Sequence, residues 1–504
     1  MSYLELLRLV APETILVIAA LAALTVDLLV MREKALGRRF QAGVAVTIFG
    51  CVAATGWLIM CKTVGPAAGA GETSALSLMF VDDAATRLVK LALLAFTVCT
   101  VVISMGSKFT EHVGEYLALI LLATVGMMML VSSMDLLMIF IALELTSLSL
   151  YILAAFNKRN IKSAEAALKY FLFGGMSAAF TLFGLSLVYG LAGSTNLVQI
   201  GANLAAGKGG LDPLLLAALV MTIIGFGFKI AAVPFHLWAP DAYEGAPTSS
   251  AALIASGSKV ASFFILGKLA LVAFAHAGGS GAWRGYGAGW VPVLATLAVF
   301  SMLLGNLAAI AQSNVKRLLA YSAVAHAGYA LTGLLANNGE GLSSVVFYTV
   351  TYGFTVLGAF GVVSVVEEGT GDARLADFAG LSRRSPVVSF CMMIFMLSLA
   401  GIPPLAGFFG KFYVFSAALG GAQPLGLLWL VIFAIAMSAV SLYYYLQVLK
   451  QIYVAPVTEG APEIRASLAS KVVLVALAVA VVVLGCAPNL LLGRLVEAIR
   501  VAGF

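Results

Sequence analysis

Charge is scarce in this chain. Charged residues make up 10% of its 504 residues, hydrophobic residues make up 62%, and the mean hydropathy is +1.05. Soluble domains contain about 25% charged and roughly 45 to 50% apolar residues. The composition therefore excludes a string of soluble domains. Apolar runs of about 20 residues recur along the chain, and each is long enough to cross about 30 Å of hydrocarbon as a helix. We expect one polytopic bundle embedded in the lipid bilayer.

Closely spaced groups of metal or redox ligands are also missing from the sequence. The five cysteines, Cys51, Cys61, Cys99, Cys391 and Cys486, lie far apart and form no C-x-x-C pair. Zinc and iron–sulfur sites need closely spaced Cys or His ligands, and no glycine-rich nucleotide fingerprint follows a strand. We therefore predict no metal, no cofactor and no bond-making chemistry in this chain. The basic residues are spread over short loops and form no basic aromatic module, which argues against nucleic acid as a partner.

Fourteen apolar runs divide the chain. The predicted spans are 12–31, 41–61, 84–105, 114–131, 135–156, 164–191, 213–239, 248–275, 290–311, 315–336, 342–366, 386–420, 425–449 and 471–493. Odd-numbered loops hold roughly sixteen lysines and arginines, whereas even-numbered loops hold Lys62, Lys208 and Arg284. Because cytoplasmic loops carry the excess of these residues, the asymmetry predicts odd-numbered loops in the cytoplasm and both termini outside.

Three ionisable residues lie near the middle of predicted spans. Glu144 is in the fifth span, Lys229 in the seventh and Lys259 in the eighth. A charge at the centre of a membrane helix costs at least about 2.5 to 3.5 kcal/mol, so such residues usually face a partner or a wet cavity and mark a transport path. A buried Glu–Lys pair that only fixes helix register is the alternative. In that case at least one buried lysine would have no acidic partner, because Glu144 is the one acid near mid-membrane.

Hydroxyl groups share a helix face with these charges, as residues three, four and seven apart do. The pattern groups Glu144 with Ser147 and Tyr151, Lys259 with Ser256 and Ser262, and His326 with Ser322 and Tyr329, and it recurs in Tyr348, Tyr352 and Thr355. Such stripes on apolar helices are what a buried row of groups joined by water requires. A lone histidine would more often be a satisfied core residue, but these hydroxyls make His326 a candidate relay.

Two spans carry helix-breaking residues. The seventh contains Gly225, Gly227 and Pro234 around Lys229, and the twelfth contains "GIPPLAGFFGK", which ends at Lys411. Proline frees backbone carbonyls that neighbours, hydroxyls or water must satisfy, and breaks of this kind line binding sites in transporters. "GFGFK" and "GFFGK" both place a glycine four residues before the lysine. This indicates two related halves, spans four to eight and nine to thirteen.

Three stretches of the sequence resemble a known family. They are "GFGFKIAAVPFHLWAPDAYEGAPTSSAALIASGSK", "SNVKRLLAYSAVAHAGY" and "LAGIPPLAGFFGKFYVF". They are similar to the antiporter-like subunits of the respiratory proton-pumping NADH:quinone oxidoreductase, complex I (NDH-1), and the span count and spacing extend the match over nearly the whole chain. Within that family, the "DAYEGAPT" loop and the "DLLMIFIALELTSLSLYILAAF" span look most like subunit N.

The resemblance implies an all-α polytopic membrane protein with two inverted five-helix repeats, broken helices 7 and 12, and a proton half-channel in each repeat. The implied divisions are 1–110 (helices 1–3), 111–275 (first repeat, helices 4–8), 289–452 (second repeat, helices 9–13) and 453–504 (helix 14). Glu144, Lys229, Lys259 and Lys411 match the family's glutamate and lysines on spans five, seven, eight and twelve, and His326 lies between the halves, where relay residues are expected.

The same resemblance implies partners and a location. The partners would be other membrane-arm subunits, and flavin, iron–sulfur clusters and quinone would reside in partner subunits. The chain would be a multi-pass protein of the bacterial inner membrane. Two other functions stay open. One is a subunit of a multi-subunit cation/proton antiporter, although sodium favours oxygen ligands and the mid-membrane residues here are mainly lysines. The other is a structural scaffold, which would tolerate neutralising Lys229, Lys259 and Lys411 together.

Overall fold

The molecule is a bundle of long helices. The computed structural model describes residues 7–61, 79–106, 109–206, 212–421, 425–457 and 462–503. Three of the lysines behind the predicted orientation, Lys62, Lys108 and Lys208, lie outside the described residues.

Fifteen helices are numbered here in chain order, and two further short ones are named by their ranges. They are α1 (Ala11–Val30), α2 (Leu36–Met60), α3 (Ala84–Ser104), α4 (Val113–Ser132), α5 (Leu136–Ala154), α6 (Ile161–Ala192), α7 (Pro213–Ile230), α8 (Thr248–Ala273), α9 (Trp290–Ile310), α10 (Val315–Leu334), α11 (Gly339–Thr370), α12 (Pro386–Ala400 and Ala406–Leu419), α13 (Leu428–Tyr453), α14 (Leu468–Cys486) and α15 (Asn489–Val501). The short helices are Leu197–Ala206, before α7, and Trp238–Gly245, between α7 and α8.

The predicted all-α polytopic fold with fourteen spans is confirmed. Among the described residues, twelve helices are long and apolar enough to cross a membrane. The thirteenth span is α10, a helix of 20 residues with Lys316 and Arg317 in its first turn. The fourteenth is α12, whose two apolar halves are each shorter than a membrane crossing. A bilayer-spanning protein follows from these lengths because a helix needs roughly 20 apolar residues to cross.

Polar side chains cap the helices that later carry the site. The carboxylate of Asp135 accepts hydrogen bonds from the first amides of α5, Asp212 does the same for α7, and Asn314 for α10. A side-chain oxygen at this position satisfies amides that have no partner within the helix. Pro213 at the start of α7 has no amide to satisfy there. The start of each of these helices is therefore set by a residue readable in the sequence.

Both predicted breaks are present, and the first ends its helix earlier than the predicted span 213–239. The helix α7 stops at Ile230, where Ala231 adopts a left-handed conformation (φ 58°) ahead of Pro234. In α12, Gly401 (φ 86°) makes the equivalent turn before the helix resumes at Ala406. Lys229 thus precedes its break, whereas Lys411 follows its own. The shared glycine-to-lysine spacing does not mark equivalent positions.

The centre of the bundle is formed by α8 and α11. In each of them, 94% of the most apolar 18-residue stretch is buried inside the protein. The helix α11 packs against α3, α8, α10, α12 and α14. These two helices carry Lys259 and the predicted tyrosine stripe, so those residues lie on the axis of the molecule. At the other end of the chain, α14 stops at Cys486 instead of reaching 493, because Pro488 separates it from α15.

Several charges near the span ends pair locally. Arg87 binds the carboxylate of Asp82 at 2.6 Å. Lys90 of α3 lies 2.7 Å from a carboxylate oxygen of Glu13 in α1. Both partners of the second pair are buried, so the pair joins two helices, and losing either partner would leave a buried charge unpaired.

Candidate functional site

Lys229 lies at the end of α7, just before the break. Its Nζ donates a hydrogen bond to the Ser147 hydroxyl of α5, and that hydroxyl donates to the Leu143 carbonyl. The amine also lies 5.9 Å from the centroid of the Tyr151 ring. Among the described residues, no ion pair within 4.0 Å joins Lys229 to Glu144. The amine is therefore held by a neutral hydroxyl in this conformation.

Glu144 occupies the edge of the bundle instead of its interior. Its neighbours on the same face of α5, Ile141 and Leu148, are 46% and 50% exposed, and Glu144 itself is half-buried. It nevertheless lies near enough to Lys229 to act on it electrostatically. The structure thus separates the predicted stripe, because Ser147 faces the lysine while Glu144 faces the lateral surface.

A small cavity connects Lys229 with α8. It has a volume of about 10 Å³, and its polar lining includes Ser147, Lys229, Ser258 and Ser262. This is close to the smallest space that holds a water molecule, and such a water needs two to four polar partners. The lining supplies that number. Ser258 directly precedes Lys259 in α8, so the cavity borders the helix that carries the second lysine.

Lys259 is buried on the axis of the bundle. Its Nζ donates to the Ala323 carbonyl of α10 at 2.5 Å. The amine lies 5.7 Å from the centroid of the Tyr352 ring. A cation placed over an aromatic face is stabilised by the ring quadrupole, more so when both are dry. The contact with Ala323 joins α8 to α10.

His326, in α10, contacts two tyrosine hydroxyls. Its Nδ1 lies 2.6 Å from the Tyr348 hydroxyl and its Nε2 lies 3.0 Å from the Tyr445 hydroxyl, which in turn lies 2.5 Å from the Ser322 hydroxyl. A neutral imidazole donates from one ring nitrogen and accepts at the other. With one hydroxyl at each nitrogen, His326 can receive a proton on one side and release it on the other.

Lys411 is held by the break in α12. Its Nζ donates to the Leu399 and Ala400 carbonyls at 3.0 and 3.2 Å, and to the Ser438 hydroxyl at 2.8 Å. The carbonyls at a helix C-terminus lack partners and carry partial negative charge, so they suit a cation. Gly401 suits this position, because its φ of 86° is strained for any residue with a Cβ, and a Cβ would also crowd the Lys411 side chain at 3.2 Å. The break therefore creates the binding place of the amine.

Aromatic rings join these groups into one row. The Tyr352 ring lies 4.8 Å from the His326 ring and also contacts Lys259. Tyr329 lies 5.6 Å from the His326 ring, and the Lys411 amine lies 5.0 Å from the Tyr329 centroid. Lys259, His326 and Lys411 are thus brought together along the axis, while Lys229 borders the small cavity against α8 and Glu144 stays at the edge.

Three residues of this row were missed in the sequence. Tyr445 contacts His326, Ser438 contacts Lys411, and Asn306 donates to the Tyr329 hydroxyl at 3.0 Å while accepting from Tyr444 at 3.0 Å. The signal was present in part: "SLYYYL" places three tyrosines in a membrane helix, and Asn306 is a polar residue late in α9. Buried polar groups need partners, so such residues indicate a network.

Beyond the break of α7, a charged cluster links the two halves. Asp241, on the short helix after the break, accepts from Lys169 of α6 at 2.7 Å and from Arg317 of α10 at 2.5 Å. Burial alone would raise the pKa of Asp241, but these two hydrogen bonds lower it below its usual value. The carboxylate stays charged, and it ties the segment that follows Lys229 to the second half.

Known proteins share this architecture. A transmembrane family model described as NADH:quinone oxidoreductase/Mrp antiporter matches residues 133–438, which include all five predicted site residues. NADH-quinone oxidoreductase subunit N 2 of Acidobacterium capsulatum is 50% identical over 500 residues, or 97% of this chain and 98% of that protein.

Two solved structures superimpose on the chain. A chain of respiratory complex I from Thermus thermophilus does so with a TM-score of 0.77 and 31% identity, over 96% of this chain and 99% of that one. A chain of the Mrp complex from Dietzia sp. shares the fold, with a TM-score of 0.80 at 21% identity over 99% and 97% of the two chains. The chain therefore belongs to the subunit N family of NADH-quinone oxidoreductases, within the wider NADH:quinone oxidoreductase/Mrp antiporter family.

Proposed function

We propose that this chain is a membrane-arm subunit of a bacterial NADH:quinone oxidoreductase, and that it moves protons across the membrane while quinone is reduced in other subunits. The observation that carries the proposal is the buried row of Lys259, His326 and Lys411, joined by tyrosine rings and hydroxyls. Each charge at mid-membrane costs a few kcal/mol, so three ionisable groups in one buried row indicate a function that requires them.

In this mechanism the residues have separate roles. Protons enter from the cytoplasm toward Lys229 and Lys259, pass along water and His326 to Lys411, and leave on the outer side. Burial favours the neutral form of a lysine, whereas an approaching carboxylate favours the charged form. Glu144 is the movable counter-ion that would load Lys229, since the two act on one another without forming a fixed ion pair. No bond other than N–H and O–H bonds is made or broken.

The proposed assembly follows from the same function. The two repeats would be 111–275 and 289–452, flanked by 1–110 and 453–504, in the bacterial inner membrane with both termini on the outer side. Flavin, iron–sulfur clusters and quinone would reside in partner subunits. Among the described residues, no group of three or more His, Cys, Asp or Glu lies close enough together to hold a metal ion. Partners would be other antiporter-like and small membrane-arm subunits.

Sodium transport is the second candidate, because the fold is shared with a chain of an Mrp complex. Oxygen ligands bind sodium, however, and the axis of this chain presents amines and an imidazole. We therefore expect NADH oxidation by the complete complex in sealed vesicles to drive proton uptake equally well in sodium and in choline buffers. A pH-sensitive dye and a sodium-sensitive dye, read together, provide the measurement. Proton movement that stops without sodium would favour the antiporter.

Removing the Tyr445 hydroxyl should slow proton movement without affecting assembly. Tyr445→Phe keeps the ring in place but leaves His326 Nε2 and the Ser322 hydroxyl without their shared partner. We expect a loss of roughly tenfold in pumping, a modest part of what a positioned proton-transfer group contributes. Tyr443→Phe is the matched control, since this neighbouring tyrosine of the same helix is 56% exposed, whereas Tyr445 is buried. Equal effects of the two variants would remove Tyr445 from the relay.

A further inference from the structure

A large cavity opens between the two halves at the end of the bundle predicted to face the cytoplasm. Its volume is about 550 Å³, and it lies where α8 and α10 begin and α11 ends. Its lining includes Thr248, Lys316, Ser364 and Glu367. The cavity is separate from the row of lysines described above, and none of the five predicted site residues lines it.

An ion pair forms the floor of this cytoplasmic cavity. The Lys316 Nζ lies 2.9 Å from Glu367 Oε1, and Thr248 donates its hydroxyl to the other carboxylate oxygen. Lys316 also donates to Thr248 at 3.3 Å and to the Ala246 carbonyl at 3.4 Å. The Lys316 side chain is 5% exposed and that of Glu367 is 32% exposed. Glu367 is therefore the more exposed partner on the cavity side, while the Lys316 side chain is buried.

Two buried hydroxyls belong to helices that also line the cavity, namely the short helix Trp238–Gly245 and α11. The hydroxyl groups of Tyr243 and Tyr352 have no hydrogen-bond partner among the described residues, although both side chains are buried. Tyr243 lies two residues before Gly245, which lines the cavity, and it is near enough to Tyr352 to interact electrostatically. Tyr352 contacts Lys259 and His326. Because buried polar groups almost always have a partner, unpaired hydroxyls in a row indicate places for water.

We propose that the cytoplasmic cavity is the proton inlet to Lys259, that the Lys316–Glu367 pair is its gate, and that the Tyr243 and Tyr352 hydroxyls carry the connection inward. The inference rests on the proposed function and adds an entrance to it. A proton from water in the cavity binds the Glu367 carboxylate, which weakens its attraction for Lys316. The proton then passes through water at the two hydroxyls to the Lys259 amine.

Conservative variants separate this role from a structural one. Tyr243→Phe and Tyr352→Phe remove hydroxyls that have no protein partner among the described residues, so they should leave the amount of assembled complex unchanged. In inside-out membrane vesicles containing the complete complex, we expect each to lower NADH-driven proton uptake roughly tenfold. Thr100→Val is the matched control, because its buried hydroxyl in α3 also has no partner in the described part of the chain but does not line the cavity. It should pump normally. Normal pumping in both phenylalanine variants would overturn the inlet.

A second measurement tests whether the cavity holds water. Ser364→Cys, in a chain whose native cysteines are replaced, should react with a charged, membrane-impermeant thiol reagent added to the same vesicles. Ser389→Cys should not react, because Ser389 is also buried near the predicted cytoplasmic end of its helix but does not line the cavity. Failure of Ser364→Cys to react overturns the proposal.

If Lys229→Ala abolishes pumping while the phenylalanine variants pump normally, the inlet fails and the proposed function stands. If Lys229→Ala pumps normally, both fail.

Discussion

Replacing Lys229 by alanine is expected to abolish proton pumping and the quinone reduction coupled to it, while the complex assembles in normal amounts. The amine lies before the break in α7 and is held by the Ser147 hydroxyl. Its removal leaves the Ser147 hydroxyl with an acceptor, because Ser147 still donates to the Leu143 carbonyl. What is lost is the group that would accept a proton beside the small cavity. A positioned proton-transfer group contributes about 10²–10⁴-fold to a rate, so the residual activity should be near background.

The measurement combines dye-detected proton uptake, the rate of NADH-driven quinone reduction, and a native gel for assembly. Lys229→Arg tests whether charge alone suffices, since arginine keeps the charge but cannot give up its proton. Lys162→Ala is the control, because that lysine forms an exposed pair with Glu244 and should pump normally. Unchanged pumping in Lys229→Ala would end the assignment. If a variant with Lys229, Lys259 and Lys411 all neutralised pumps normally, the chain acts only as a structural scaffold.

Much of the fold could be predicted because the bilayer restricts it. A backbone in hydrocarbon must satisfy its own hydrogen bonds, so apolar runs become helices and their lengths follow from the membrane thickness. The breaks in α7 and α12 were also readable, since proline and glycine act locally. The end of α7 at Ile230 was not readable, because Ala231 adopts a left-handed conformation that its sequence does not favour.

The contacts of the site were harder to predict than its residues. Glu144 and Ser147 share a spacing of three, which leaves them about 60° apart around a helix of 3.6 residues per turn. That angle is enough to place Ser147 against Lys229 and Glu144 at the edge of the bundle. Tyr445 was missed for a related reason. In an apolar membrane helix the sequence does not reveal which face meets lipid and which meets protein, so only packing shows that Tyr445 contacts His326.

The largest effect on stability is expected from Lys90→Met. Lys90 and Glu13 lie 2.7 Å apart with side chains only 2% and 6% exposed. Apart from this ion pair, neither carboxylate oxygen of Glu13 has a hydrogen-bond partner among the described residues. Removing the lysine would strand a carboxylate between α1 and α3, at a cost of about 3 to 5 kcal/mol. We expect the assembled complex on a native gel to fall sharply.

Restoration is the decisive comparison for this pair. Replacing both partners with apolar residues, Lys90→Met with Glu13→Leu, removes the stranded charge and should recover most of the assembled complex, since a buried pair contributes little net stability over apolar packing. Arg159→Ala is the control, because its pair with Glu111 is 87% and 74% exposed and such pairs contribute about 0 to 1 kcal/mol. If the double variant assembles and pumps, the pair is structural, and the proton route runs through the row on the axis. If it assembles but does not pump, Glu13 and Lys90 belong to the route, and the outer end of α1 and α3 becomes part of the path.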